Sequence, residues 1–266
     1  MKRAVGIIVA VLLVGCAGTN TGPGAGPASG PASPPVSEQA PSGMAEKSAK
    51  THTELGSLYL QAGNLAVALE EARLAAATDP TYAPALNLLG IVHLMLNEMP
   101  QARASFERAV QLAPGDPQIA NDYGWFLCQS GREQEAFKYF EAAYRNPLYK
   151  TPTRPYTNAG LCYLRIKDEK SAEANFQRAV MMDGTNAQAI YHLSSLYYQR
   201  GDFVNAKKLL GDLHRLIEPN ASSLWLGVRI ERKLGDRQAE AGYSSQLRRK
   251  FADTPEHQAL LQGNFE

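Results

Sequence analysis

From Lys50 onward the chain is built of Ala, Leu, Tyr and long polar residues, and its small and apolar positions recur at fixed slots. A first copy sets Leu55-Gly56 ahead of Tyr59, Ala68, Ala72, Ala75 and Pro80; a second sets Leu89-Gly90 ahead of Ala102, Phe106, Ala109 and Pro114. The third has Tyr123-Gly124, Leu127, Ala136, Phe140, Ala143 and Pro147, and the fourth Ala159-Gly160, Tyr163, Ala172, Phe176 and Ala179. Leu193-Ser194, Tyr197, Ala206 and Leu210 make a fifth. The small residue at 56, 90, 124, 160 and 194 gives spacings of 34, 34, 36 and 34. Each copy predicts a hairpin of two helices. Gly63-Asn64, Gly131-Arg132 and Gly201-Asp202 mark its turn, and the proline near the end of each of the first three copies stops the second helix. The Gly or Ala of the first helix and the Ala of the second fall where the two helices cross, and a larger side chain would push them apart. The aromatic slot fills the hole against the next copy.

This period and signature resemble the tetratricopeptide repeat. The expected fold is all-α: a superhelix of antiparallel helix pairs over residues 48–254, in which no unit buries its apolar face alone and stacking makes the core. Residues 221–254, with Leu234-Gly235-Asp236 as a turn and Tyr243, Leu247 and Phe251 on one face, form a sixth, degenerate and capping copy. Residues 255–266 are left as a short tail.

Between copies three and four the spacing stretches around Asn146–Pro155, where three prolines make a stiff connection. It either bends the superhelix or offers a surface. Cys128 and Cys162 flank it, on consecutive first helices. Packed side by side they are within reach of a disulfide, or they are two buried thiols acting as small core residues.

The N-terminus has a different pattern. Lys2 and Arg3 precede an apolar run of 11 residues, Ala4 to Val14, which is too short for the roughly 20 residues of a membrane-spanning helix and fits a signal peptide over residues 1–15. Leu13-Val14-Gly15-Cys16 resembles the lipobox of bacterial lipoproteins. That resemblance implies cleavage before Cys16, a membrane anchor of acyl chains on Cys16 and, with Ala17 next, the outer membrane as destination. Residues 17–43 hold six glycines, six prolines, no aromatic residue and one charge, Glu38; residues 16–47 thus constitute the lipidated terminus and a tether.

Charge and chemistry narrow the function. The whole chain carries 27 basic and 26 acidic residues, a balance that gives no attraction for phosphate backbones and so points away from nucleic acid. The five histidines, His52, His93, His192, His214 and His257, have no metal-ligand spacing, and His192 is expected as an ordinary surface histidine. No phosphate loop, nucleophile elbow or dinucleotide fingerprint occurs, so no enzyme, cofactor, metal or small-molecule substrate is expected. In this repeat architecture the first helices line the concave face. Candidate partner-binding residues there are Asn87, Ile91, Leu94, Asn121, Trp125, Thr157, Leu161, Tyr191, Ser195 and Tyr198. An aromatic and aliphatic groove with a few amides suits an apolar or extended peptide.

Beyond the generic repeat, Tyr123–Gln129, Asn146–Tyr149, Asn158–Cys162 and Ser223-Leu224-Trp225-Leu226-Gly227 resemble the PilW/PilF family of type IV pilus biogenesis lipoproteins, over about residues 48–260. The resemblance implies an outer-membrane pilotin that binds the secretin subunit, helps it reach the membrane and form its multimeric pore, and supports twitching motility. The alternative is a periplasmic repeat scaffold for another envelope assembly, such as cell-wall synthesis or outer-membrane protein assembly.

Overall fold

A computed structural model describes residues 42–147 and 149–265. The signal segment, Cys16 and the tether up to residue 41 lie outside the described residues. Thirteen helices are present among the described residues, and the first twelve pair in sequence. Repeat one is α1 (Ser42–Gln61) with α2 (Leu65–Thr78), repeat two α3 (Ala83–Met95) with α4 (Met99–Leu112), and repeat three α5 (Pro117–Gln129) with α6 (Glu133–Arg145). Repeat four is α7 (Thr153–Arg165) with α8 (Glu169–Met182), repeat five α9 (Ala187–Gln199) with α10 (Phe203–Leu216), and repeat six α11 (Ala221–Leu234) with α12 (Arg237–Lys250). A short α13 (Pro255–Gln262) closes the stack.

Local signals place the helix starts. Asn64, Asp116, Asp168, Asn186, Asp202, Asn220, Asp236 and Thr254 each accept a hydrogen bond from a backbone N–H of the first turn that follows them. Between the helices of a pair the chain passes through a left-handed residue, glycine at 63, 131, 201 and 235. Asn97 and Lys167 hold the same corner in repeats two and four, at φ of 60° and 61°.

The small first-helix slot works through close approach. A Cβ placed on Gly90, Gly124 or Gly160 would come within 2.8, 2.8 or 2.6 Å of the ring of Phe106, Phe140 or Phe176 in the same hairpin. Those three rings are fully buried. Each phenylalanine therefore fills the crossing of its own pair, and Phe106 also meets the next repeat, with Tyr123 and Phe126 at 6.1 and 5.4 Å between ring centres. In repeat five Leu210 replaces the ring. Ser194 fits the vacated space and donates its hydroxyl to the Ala206 carbonyl at 2.8 Å.

Three features differ from the sequence reading. Helix α1 begins at Ser42, inside the span read as tether. The tail is a helix whose Leu260 packs with Leu224, Trp225 and Leu247. His192 is not a surface residue: its half-buried ring stacks on Phe176 at 5.3 Å, and burial pushes its pKa down. It occupies the hole between repeats four and five that a plain count of polar residues would leave to solvent.

Candidate partner-binding groove

The first helices of repeats one to four bring two hollows together. One, of about 230 Å³, is lined by Ile91, Leu94, Met95, Trp125, Asp122 and Arg154 among others. The other, of about 450 Å³, runs from Thr53, Ser57 and Leu60 of α1 to Asn87, Ile91, Gln118, Asp122 and Arg154. Ile91, Asp122 and Arg154 border both, so the two are one continuous groove across α1, α3, α5 and α7.

Its apolar wall follows from the spacing of Ile91, Leu94 and Met95 on α3, facing Trp125 on α5. Met95 is 56% exposed although nothing in its chemistry favours water. The polar wall centres on Asp122, which is only 6% exposed. Asn87 Nδ2 and Gln118 Nε2 donate to Asp122 Oδ2 at 2.9 and 2.7 Å, and Asn121 Nδ2 donates to Oδ1 at 2.9 Å. Arg154 Nη2 lies 3.7 Å from Oδ1. Asn158 Nδ2 in turn donates to Asn121 Oδ1 at 3.0 Å. A buried carboxylate is tolerable only with such a set of donors, and the ladder ties α3, α5 and α7 into one surface.

The Asn146–Pro155 insertion belongs to this surface. Tyr149 is buried and donates its hydroxyl to Gln118 Oε1 at 3.1 Å. Arg154, in the first turn of α7, reaches back to both Gln118 and Asp122. Beneath the groove, Cys128 and Cys162 form a disulfide with a Cα–Cα separation of 5.9 Å, joining α5 to α7. Of the two arrangements open to these cysteines, the bonded one is present.

The ten candidates do not form one patch. Ile91, Leu94 and Trp125 line the groove and are half-buried. Asn87, Asn121 and Thr157 are buried. Asn87 and Asn121 orient Asp122, and Thr157 Oγ1 takes a hydrogen bond from Asn186 Nδ2 at 2.9 Å. Leu161 packs on the core between repeats four and five. Tyr191 and Tyr198 pack on the next core cluster, burial raises the Tyr191 pKa, and Ser195 is half-buried on the same helix. Asp122, Gln118, Arg154 and Asn158 were missing from the candidate set. Their signal was present as adjacent polar residues at groove positions, but an acidic residue next to Tyr123-Gly124 reads as a solvated helix face until its four partners are known.

The tetratricopeptide-repeat family models match residues 53–117, 100–149 and 153–186. The type IV pilus assembly protein PilF of Pseudomonas aeruginosa is 27% identical over 213 residues, covering 80% of this chain and 84% of PilF. The solved structure of PilW, a widely conserved type IV pilus biogenesis factor, superposes with a TM-score of 0.72 at 27% identity, over 80% of this chain and 98% of PilW. That of Pseudomonas aeruginosa PilF gives 0.74 at 26% identity, over 83% of this chain and all of PilF. The chain is a homologue of PilF and PilW.

A PilF/PilW homologue with this groove has a surface suited to holding a peptide. Among the described residues no cluster of three or more His, Cys, Asp or Glu is placed to bind a metal. What the groove offers is a dry wall for an apolar side chain and, opposite it, amides and one charge pair for a peptide backbone.

Proposed function

We propose that this protein is a pilotin. It binds the secretin subunit of the type IV pilus, brings it to the outer membrane and promotes its multimerisation, and so supports pilus assembly and twitching motility. The homology to PilF and PilW over essentially their whole folded length carries the reading. Its place is the periplasmic face of the outer membrane, anchored by acyl chains on Cys16, with residues 17–41 as the tether. The groove bordered by Ile91, Leu94, Trp125 and Asp122 grips an extended secretin segment: apolar side chains enter beside Trp125 and the backbone meets the amide wall. Asn87 and Asn121 support that face by orienting Asp122, whereas Thr157, Leu161, Tyr191, Ser195 and Tyr198 hold the neighbouring repeats together.

The test compares SDS-resistant secretin multimers in outer membranes of cells with and without this gene. Loss of multimers with monomer retained is the expected result; multimers unchanged in amount and location would overturn it. Trp125→Ala, in a chain that still folds, is expected to weaken secretin capture at least tenfold, a loss of about 1.4 kcal/mol or more. Cys16→Ala is expected to abolish palmitate labelling and release the protein from the membrane fraction.

A further inference from the structure

The opposite end of the superhelix has a different chemistry. The span 221–250 holds seven basic and three acidic residues, in a chain that is otherwise near balance. The acids are already engaged. Lys207 takes the buried Glu231 at 2.7 Å and Asp236 at 3.5 Å, and Arg232 takes Glu240 at 2.8 Å. Among the described residues Lys233, Arg237, Arg248 and Arg249 have no carboxylate partner.

Two of these cations, Arg237 and Arg248, line a concave space beside the last hairpin. In a repeat stack the last pair is covered by the first helix of the next, but α13 has only eight residues. It seals Leu224, Trp225, Val228 and Leu247, and Phe265 folds onto Trp225 at 5.5 Å between ring centres. Beside it lies a cleft of about 690 Å³ walled by Arg232, Arg237 and Arg248, with Glu240, which Arg232 neutralises at 2.8 Å, and with Ala241 and Ser244 among its small lining residues. Arg232 also borders an adjoining hollow of about 450 Å³ with Tyr198, Arg229, Lys233 and Phe265. In that hollow Arg229 lies 4.9 Å over the Tyr198 ring, and its Nε, shielded from solvent, has no acceptor. Arg232 sits 3.8 Å over Phe265.

We infer that this cleft is a second docking site, which takes an acidic segment of a partner polypeptide along α12. Charge complementarity selects the occupant, because Arg237 and Arg248, two guanidinium groups without an ion pair in one concavity, gain most from carboxylates that reach them together. Concavity and small lining residues admit a peptide backbone, whereas a flat lipid surface cannot enter the cleft. The inference is independent of which partner occupies the groove of repeats one to four.

The test uses the full chain in detergent and a fluorescein-labelled glutamate octapeptide, read by fluorescence anisotropy. Arg237→Glu combined with Arg248→Glu is expected to weaken binding at least about tenfold. Arg73→Glu combined with Arg178→Glu changes net charge equally at exposed sites on α2 and α8 and is expected to bind like the wild type. Absence of wild-type binding, or equal loss in both double variants, overturns the inference. So does displacement of the peptide by glycerol phosphate at constant ionic strength, which would make the cleft a headgroup site. The four arginines are exposed and have no ion pair among the described residues, so folding is not at stake, and circular dichroism verifies it.

Discussion

In repeats two to four every hairpin crosses over a glycine pressed against a phenylalanine ring, a disulfide joins repeats three and four, and a buried carboxylate collects amides from two first helices. In repeats five and six the same slots hold Ser194 with Leu210 and Gly227 with Tyr243, and the surfaces are joined by cation–ring stacks and half-exposed ion pairs. The middle of the superhelix is thus cross-linked around a fixed groove, whereas the C-terminal end, packed on its own apolar cores, supplements them with polar contacts that solvent and salt reach. A partner that must find a preformed surface has it in the middle. A partner recognised by charge has it at the end.

The largest effect should come from removing the cross-link. Closing a loop of sequence separation 34 restricts the unfolded chain by about 4 kcal/mol, so Cys128→Ser with Cys162→Ser is expected to lower unfolding free energy by roughly 2–4 kcal/mol in denaturant titration. A fall in the stability of the middle toward that of repeats five and six, by hydrogen exchange, would locate the loss. Asp122→Ala follows, at about 2–3 kcal/mol, because it leaves the buried Asn87 and Asn121 and the half-buried Gln118 with amide donors and no acceptor. The equivalent cut at the other end, Arg232→Ala, removes only exposed contacts and should cost under about 1 kcal/mol.

Converting one hairpin to the other type sharpens the contrast. Gly160→Ser alone drives a side chain into Phe176 and should cost about 1–3 kcal/mol, even though glycine is a poor helix residue. Paired with Phe176→Leu it reproduces repeat five, so the double variant is expected to lose less than the sum of the two single losses. Additive losses would mean that Ser194 and Leu210 do not act as a compensating pair.

Acid should act on the contacts between repeats four and five and between repeats five and six. His192, at the repeat four to five interface, and His214, on α10, are both held neutral by burial, with pKa values below the ordinary 6.5. Above 6.5 the folded and unfolded chains are both neutral there and stability is complete. As pH falls from 6.5 toward the depressed folded values the unfolded chain takes up protons first, and stability is lost across that window. Thermal unfolding between pH 7.5 and 5 reads this, and His192→Phe should flatten the acid limb. The smallest effect is a gain: Lys167→Gly, which relieves a left-handed lysine where other repeats have glycine, should stabilise by about 0.5–1 kcal/mol.

Much of this protein was legible as pattern. The repeat, its small crossing residues and the turn glycines are local demands that each helix pair makes on its own sequence, and they recur with the period. The two cysteines, at different slots of neighbouring first helices, were legible as within reach of each other, but the choice between a disulfide and two buried thiols was made only by the packing of α5 on α7. The groove was legible only in part. Ile91, Leu94 and Trp125 were found from the side of the helix on which they lie, whereas Asp122 and Arg154 were not, because a buried carboxylate looks like a solvated one until residues 31 to 36 positions away supply its donors and order its neighbours.

The sequence by itself determined an all-α stack of hairpins with a small residue at every crossing, because a pair of helices can approach closely only if each leaves room for the other. Tertiary structure alone decided that the insertion's Tyr149 and Arg154 complete the groove, that the tail forms α13 and stops short, and that unpaired arginines gather beyond it. Those outcomes depend on contacts between elements far apart in the chain, whose pairing no local pattern encodes.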